Sequence, residues 1–148
     1  MKQIEPFGPF ALAANVTPVA VPSPAGELSG LLTGPSAPGL VDGTPAISAA
    51  SAPDAAGENR ALLVPGYTGS KEDYAPVLPF LGDAGWDVLA YSQRGQGGSA
   101  APAGLGAYGM SDFVNDLIAV AEAWAGTSGR VHLVGHSFGG IVARAAVI

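Results

Sequence analysis

The apolar residues of this chain fall into short runs of strand length, and in the second half of the chain helical patterns separate these runs. Residues 61–64 (A-L-L-V), 86–91 (W-D-V-L-A-Y) and 131–134 (V-H-L-V) are largely apolar. Short apolar runs of this kind are typical of parallel strands that are buried on both faces. The alternation of strand and helix therefore predicts an α/β fold, with a mostly parallel sheet and flanking helices.

Three helices are predicted between and after these strands. The first begins at Ser70, with Asp73 favourable at its amino end, and its buried face holds Tyr74, Val77, Leu78 and Leu81 before Gly82 and Gly85 end it. The second begins at Ser111 and ends at Gly126 and Gly129, and its apolar face holds Phe113, Leu117, Val120, Ala121 and Trp124. The third follows residues 135–140 and is rich in alanine.

The first sixty residues are less regular. Residues 1–15 are predicted to be an N-terminal segment, and residues 16–148 a partial α/β domain. Residues 16–32 predict two strands around a turn, and Pro18, Pro22 and Pro24 place the first strand at a sheet edge, because proline cannot donate to a ladder. Residues 34–59 are rich in Gly, Pro, Ala and Ser and predict a flexible connector.

Composition and charge exclude several classes of function. The net charge is −6, and the 6 Lys and Arg residues are not clustered, which argues against nucleic acid or an anionic membrane as a partner. The absence of cysteine excludes disulfides and a thiolate nucleophile. No apolar run approaches the ~20 residues of a membrane span. The apolar part of the amino terminus, residues 10–14, is short for a signal peptide, so we expect a cytoplasmic protein.

The motif G-H-S-F-G-G at residues 135–140 carries the clearest chemistry. It follows a predicted strand and precedes a predicted helix, with Ser137 at the apex of the turn between them. Glycines at 135 and 139 allow strand and helix to approach closely, and this G-x-S-x-G pattern is typical of a nucleophile elbow. We therefore expect Ser137 to be a nucleophile and the N–H of Phe138 to be one donor of an oxyanion hole.

Two further motifs occur at matching separations. P-G-Y-T-G-S at residues 65–70 resembles the H-G-x-x-G-S oxyanion loop, and S-Q-R-G-Q-G-G-S at residues 92–99 resembles a D-x-R-G-x-G-x-S turn. With the elbow, they make residues 60–148 similar to the amino-terminal half of an α/β-hydrolase-fold serine hydrolase of the esterase and lipase type, truncated after the elbow and its helix. The resemblance implies hydrolysis of small-molecule ester or related acyl substrates through an acyl-enzyme, without a metal or organic cofactor.

The resemblance also implies roles for individual residues. The N–H of Tyr67 would be the second oxyanion donor. Independently of the resemblance, Arg94 is expected to stabilise its own turn through backbone carbonyls, with contact to the substrate as the alternative. Pro65 and Ser92 depart from the His and Asp that are common in the family, which affects loop geometry more than chemistry. The motifs are completed by Gly66, Gly135, His136, Gly139 and Gly140.

The identity of the nucleophile and the order of the triad carry further implications. Haloalkane dehalogenases and epoxide hydrolases of this family carry aspartate at the elbow, so Ser137 argues against both subfamilies. The triad order is Ser, acid, His, yet no Asp, Glu or His follows Ser137, and neither His132 nor His136 is expected to act as its base. An alternative is therefore an inactive fragment, or a half that associates with itself or a complementary chain through an exposed sheet edge.

One rival motif points to a different class of site. Residues 95–100 (G-Q-G-G-S-A) match the G-x-G-x-x-A pattern of a dinucleotide-binding turn. That pattern must open a helix immediately, whereas Pro102, Gly104 and Gly106 follow here. The sequence therefore disfavours dinucleotide binding.

Overall fold

A five-stranded sheet forms the centre of the chain in a computed structural model, which describes residues 12–35, 37, 44–47, 59–127 and 129–148. The strand order is β1-β2-β4-β3-β5. The strands are β1 (Val16–Ser23), β2 (Gly26–Thr33), β3 (Arg60–Val64), β4 (Asp87–Tyr91) and β5 (His132–Gly135). The helices are α1 (Leu78–Asp83), α2 (Met110–Ala125) and α3 (Phe138–Ala146).

The sheet combines a parallel core with an antiparallel hairpin. Strands β4, β3 and β5 are parallel, with Leu62 opposite Leu89 on one side and Leu133 on the other. Strands β1 and β2 form an antiparallel hairpin that joins the sheet when β2 pairs with β4. The mostly parallel core and the edge position of β1 confirm the predictions from the apolar runs and the prolines.

Helices cover both faces of this sheet, which explains the apolar runs. In β3, Leu62 and Val64 face the layer formed by α2 and α3, while Ala61 and Leu63 face α1. Alternation of side chains along a strand means that a strand covered on both faces needs apolar residues at nearly every position. The result is a three-layer α/β/α arrangement.

The first predicted helix is interrupted in the structure. Instead of one helix from Ser70, the chain forms a 3-10 turn at Lys71–Tyr74 and then the short helix α1. Pro76 and Pro79 explain the break, because proline lacks the N–H that continues an α-helix. Val77, predicted to be buried, is 42% exposed. Leu78 is fully buried, as predicted.

The predicted connector is described only in part. Residues 1–11 of the N-terminal segment and most of residues 34–59 lie outside the described residues. Residues 44–47 run beside β1, where the N–H of Ile47 donates to the carbonyl of Ala20 at 2.8 Å. The Ile47 side chain is buried in the core. This part of the connector is therefore attached to the sheet.

Strand β5 is the outermost strand on the parallel side of the described sheet. Its Val134 side chain is 48% exposed. Pairing of this edge with another chain stays a prediction. Within the described residues, no helix has both the length and the apolar character needed to cross a bilayer.

Candidate active site

Three loops meet at the carboxyl ends of the parallel strands. The first loop (residues 65–70) follows β3, the second loop (residues 92–99) follows β4, and the elbow (residues 135–140) follows β5. Because β3 lies between β4 and β5, its loop contacts both others. A Cβ atom built on Gly66 would lie 3.5 Å from the Cβ of Ser137 and 3.1 Å from Nδ1 of His136. The first loop therefore lies directly against the nucleophile turn.

The backbone of Ser137 has an uncommon conformation. Its φ of 51° and ψ of −120° make it the one non-glycine residue with positive φ in the described part of the chain. Two turn hydrogen bonds stabilise the elbow, from Gly139 N–H to the His136 carbonyl and from Gly140 N–H to the Ser137 carbonyl, each at 2.9 Å. Ser137 itself is exposed. A strained, exposed serine between a strand and a helix has the geometry of a nucleophile elbow.

The glycines of the elbow are required by close backbone contacts. A Cβ on Gly139 would collide with the carbonyl oxygens of Val64 and Pro65, and one on Gly135 would lie 2.5 Å from the Gly139 carbonyl oxygen. At Gly140 the closest contact would be 3.2 Å. The predicted close approach of strand and helix is thus confirmed, with the additional finding that α3 also packs on the end of β3.

Both N–H groups that the sequence assigns to an oxyanion hole are available. Phe138 is the first residue of α3, where backbone N–H groups have no partner within the helix. Among the described residues, neither the Phe138 N–H nor the Tyr67 N–H has a hydrogen-bond acceptor. The two rings meet edge-on with centroids 5.9 Å apart, and residue Tyr67 is 73% exposed. The structure therefore brings Tyr67, Phe138 and Ser137 together.

Two glutamines of the second loop hold the first loop, and sequence reasoning missed both. Gln93 Nε2 donates to the carbonyl of Pro65 at 2.9 Å. Gln96 Nε2 donates to the carbonyls of Gly66 at 3.1 Å and Tyr67 at 2.6 Å. The available signal was the position of these amides at the carboxyl end of β4, since loops after neighbouring parallel strands adjoin.

Arg94 acts across the fold instead of within its own turn. Its guanidinium donates to the carboxylate of Asp116 in α2, from Nε at 2.7 Å and Nη2 at 2.9 Å, and Nη1 donates to the Ala107 carbonyl at 2.6 Å. The hydrogen bonds to Asp116 raise the pKa of Arg94, so the guanidinium stays charged. Arg94 therefore donates to backbone carbonyls as expected, but those of Ala107 and Asp112 lie outside its own turn. Asp116 was missed, although a carboxylate on the apolar face of α2 was a visible signal.

Pro65 and Ser92 differ from the His and Asp that are common in the family, yet the first and second loops are still joined by hydrogen bonds. Ser92 Oγ accepts the backbone N–H of Lys71 at 3.1 Å. Lys71 Nζ in turn donates to the Gly97 carbonyl at 2.8 Å. The chain after residue 100 forms no helix until a 3-10 turn at Leu105–Ala107, so the dinucleotide pattern lacks the helix it requires.

The two histidines lie in different places. His136 has its Nδ1 beside Gly66. His132 lies at the opposite end of β5 from Ser137, and its ring centroid is 5.3 Å from that of Trp86. Thus no histidine from another element joins Ser137 within the described chain. In the same residues, no three His, Asp or Glu side chains form a group that could hold a metal ion.

Comparison with known proteins supports one family. A sequence model described as alpha/beta hydrolase fold matches residues 62–148. The putative carbamate hydrolase RutD of Variovorax paradoxus is 42% identical over 81 residues, which cover 55% of this chain and 29% of that protein. Epoxide hydrolase A of Mycobacterium tuberculosis is 34% identical over 81 residues, which cover 55% of this chain and 24% of that protein.

Solved structures show the same fold over most of the chain. An epoxide hydrolase from an endophytic Streptomyces superposes with a TM-score of 0.68 at 26% identity, covering 91% of this chain and 34% of that one. An epoxide hydrolase of Vigna radiata has a TM-score of 0.68 at 19% identity, covering 89% and 35%. The chain thus spans about a third of the length of these two solved structures. It spans less than a third of the length of the Variovorax paradoxus and Mycobacterium tuberculosis proteins. With a family match over more than half its length, the chain belongs to the alpha/beta hydrolase fold family.

Proposed function

We propose that this hydrolase uses Ser137 to cleave ester or related acyl bonds. The observation that carries the proposal is the position of Ser137 on a strained turn beside two N–H groups, those of Tyr67 and Phe138, that have no acceptor among the described residues. N–H groups placed in advance where negative charge develops are the main feature of an oxyanion hole. Proteins of this family catalyse many different reactions, so the proposal depends on the geometry of this site and not on the family alone.

The proposed reaction has two stages. Ser137 Oγ attacks the acyl carbonyl as its proton passes to a base, the carbonyl oxygen becomes an oxyanion held by the two N–H groups, and the leaving group departs with a proton. Water then attacks the acyl-enzyme and releases the acid and free Ser137. In this fold the base is a histidine that follows the nucleophile in the chain. The 148 residues contain no histidine after Ser137.

The serine also bears on the class of substrate. The named relatives are a carbamate hydrolase and epoxide hydrolases. Carbamates and esters share a carbonyl carbon with a heteroatom leaving group, which a serine alkoxide attacks to give an acyl-enzyme. The aspartate that marks the epoxide hydrolase subfamily is replaced here by Ser137. We therefore assign a small acyl substrate to this site; the cytoplasmic location stays a prediction.

A fluorophosphonate probe tests the nucleophile on the purified 148-residue chain. We expect covalent labelling of the folded protein, slow because the 148 residues supply no histidine base after Ser137, that disappears in Ser137→Ala and persists in Ser111→Ala, a matched change at another exposed serine. Intact-mass spectrometry measures the labelled fraction, and circular dichroism verifies folding. Labelling that survives in Ser137→Ala, or a folded chain that takes up no probe, would contradict the proposal. The second result would favour the alternative of an inactive fragment.

A further inference from the structure

Three successive carbonyl groups of the first loop are held by side chains of the second loop. Gln93 bonds the carbonyl of Pro65, and Gln96 bonds those of Gly66 and Tyr67. We propose that Gln96 is a positioning residue that sets the direction of the Tyr67 N–H in the oxyanion hole. This inference depends on the proposed function for its catalytic meaning, whereas its structural part can be tested separately.

The planar peptide bond links the Gly66 carbonyl to the Tyr67 N–H. In a trans peptide the C=O and the N–H point in opposite directions, and the described residues contain no cis peptide. The Gly66 carbonyl and the Tyr67 N–H belong to the same peptide unit. Because Gln96 holds the Gly66 carbonyl from one side, the Tyr67 N–H faces the other side. Rotation of this peptide would break the 3.1 Å bond from Gln96 to Gly66 and the 3.2 Å bond from the Gly69 N–H to the same carbonyl. Of these two bonds, the one from Gln96 comes from a side chain and can be removed by substitution.

The Gln96 side chain is itself fixed at both ends. Its Oε1 accepts the backbone N–H of Gln93 at 3.3 Å, while its Nε2 donates to the two carbonyls. Reversing the amide would place Oε1 against two carbonyl oxygens, so the orientation is set by the hydrogen bonds. Its backbone is also held, since Gln96 N–H donates to the Gln93 carbonyl at 3.0 Å and the Ser99 N–H donates to the Gln96 carbonyl at 2.8 Å.

Gln93 provides a matched control within the same turn. It holds the peptide unit between Pro65 and Gly66, whose N–H belongs to Gly66 and not to Tyr67. Gln96→Met and Gln93→Met each replace an amide with an apolar side chain of similar length. Gln96→Glu is a second variant that retains an acceptor for the Gln93 N–H but presents carboxylate oxygens to the two carbonyls.

The first measurement is the mobility of the Tyr67 backbone by ¹⁵N relaxation. In the original chain we expect an order parameter of about 0.85, typical of rigid backbone, and in Gln96→Met and Gln96→Glu a fall to about 0.6. Gln93→Met should leave the Tyr67 value unchanged. An unchanged Tyr67 order parameter in both Gln96 variants, with the fold intact by circular dichroism, would overturn the proposal.

The second measurement is the kinetics of fluorophosphonate labelling at Ser137. Removal of one oxyanion donor costs about 10²–10³-fold in rate, so loss of its orientation by Gln96→Met should slow the labelling step by about tenfold. The probe concentration for half-maximal rate should stay the same, because ground-state binding does not use this N–H. A general loss of stability would not lower the maximal labelling rate while leaving the half-maximal probe concentration unchanged.

The outcomes separate the two proposals. If the original chain is unlabelled while the Gln96 variants mobilise Tyr67, the serine hydrolase function fails and the positioning role stands. If the original chain is labelled and Gln96→Met reacts at the same rate, the function stands and the positioning role fails.

Discussion

Arg94 and Asp116 form a buried, two-pronged ion pair between the turn after β4 and the middle of α2. The guanidinium and carboxylate are joined by bonds of 2.7 and 2.9 Å, with side chains 4% and 2% exposed. Asp116 Oδ1 also accepts the N–H of Ala25 in the hairpin turn at 3.2 Å. This pair therefore anchors the second loop, which carries Gln93 and Gln96, to both α2 and the hairpin.

Asp116→Ala should be strongly destabilising. The change leaves the buried Arg94 guanidinium with backbone carbonyls and the partly exposed Asp112 carboxylate at 3.5 Å, and removing one partner of a buried ion pair costs about 3–5 kcal/mol. Urea unfolding measures the free energy of unfolding. The matched control is Asp112→Ala, because Asp112 lies 3.5 Å from the same guanidinium with 34% of its side chain exposed. Its cap to the Gly109 N–H gives an expected cost of about 1 kcal/mol. Equal losses in the two variants would contradict this account.

Gly139→Ala should disrupt the elbow, because the added methyl group would meet the carbonyl oxygens of Val64 and Pro65. Overpacking against rigid backbone costs about 1–3 kcal/mol or more. Gly106→Ala is the matched control, since a Cβ there would meet nothing within 4 Å. Its free energy of unfolding should stay within about 0.5 kcal/mol of the original chain. A harmless Gly139→Ala would show that α3 is not held against β3 as described.

The strain at Ser137 can be measured by comparing two substitutions. Ser137→Gly permits the φ of 51° at low cost, whereas Ser137→Ala retains a Cβ in that conformation. Backbone strain of this type costs about 1–3 kcal/mol. Since glycine also gains entropy in the unfolded chain, we expect a net advantage of about 1 kcal/mol for Ser137→Gly, or about 2–4 °C in Tm. Differential scanning calorimetry gives both values. A Tm for Ser137→Ala equal to or above that of Ser137→Gly would argue against strain.

The buried hydroxyl of Tyr91 should make the free energy of unfolding depend on pH in the alkaline range. Burial raises the pKa of its hydroxyl above the ordinary value of about 10, and the charge of Asp116 acts in the same direction. Above pH ~10 the unfolded chain loses this proton while the native chain retains it. The contribution of Tyr91 to the free energy of unfolding should therefore be fully present below pH ~10. Above that pH the free energy of unfolding should fall, by up to about 1.4 kcal/mol per pH unit.

Tyr91→Phe should weaken this pH dependence. The Tyr91 hydroxyl has no hydrogen-bond partner among the described residues, so its removal should leave stability at pH 7 unchanged or increased. Urea unfolding between pH 8 and pH ~11 measures the slope. Tyr67→Phe is the matched variant, because it removes the same hydroxyl group from an exposed residue. Tyr74, whose pKa burial also raises, remains in both variants. Identical slopes in the Tyr91→Phe and original chains would refute the assignment.

The local features of the site could be predicted from the sequence because they depend on neighbouring residues. Apolar runs predicted the parallel strands, prolines predicted the edge position of β1, and the spacing of three motifs predicted the family. The prediction of a single first helix was wrong, because Pro76 and Pro79 interrupt it. Local pattern was sufficient where one short segment decided the conformation.

The contacts that organise the site were decided by the tertiary structure. Gln96 lies 30 residues from Gly66, and Arg94 lies 22 residues from Asp116. No periodicity in the sequence specifies these pairs, because each depends on the order β4-β3-β5 and on the packing of α2 against the sheet. The sequence by itself determined the tight turn at Ser137 and the family. Only the folded chain determined which side chains hold the carbonyl groups of the loop beside Ser137, because those partners are distant in the sequence.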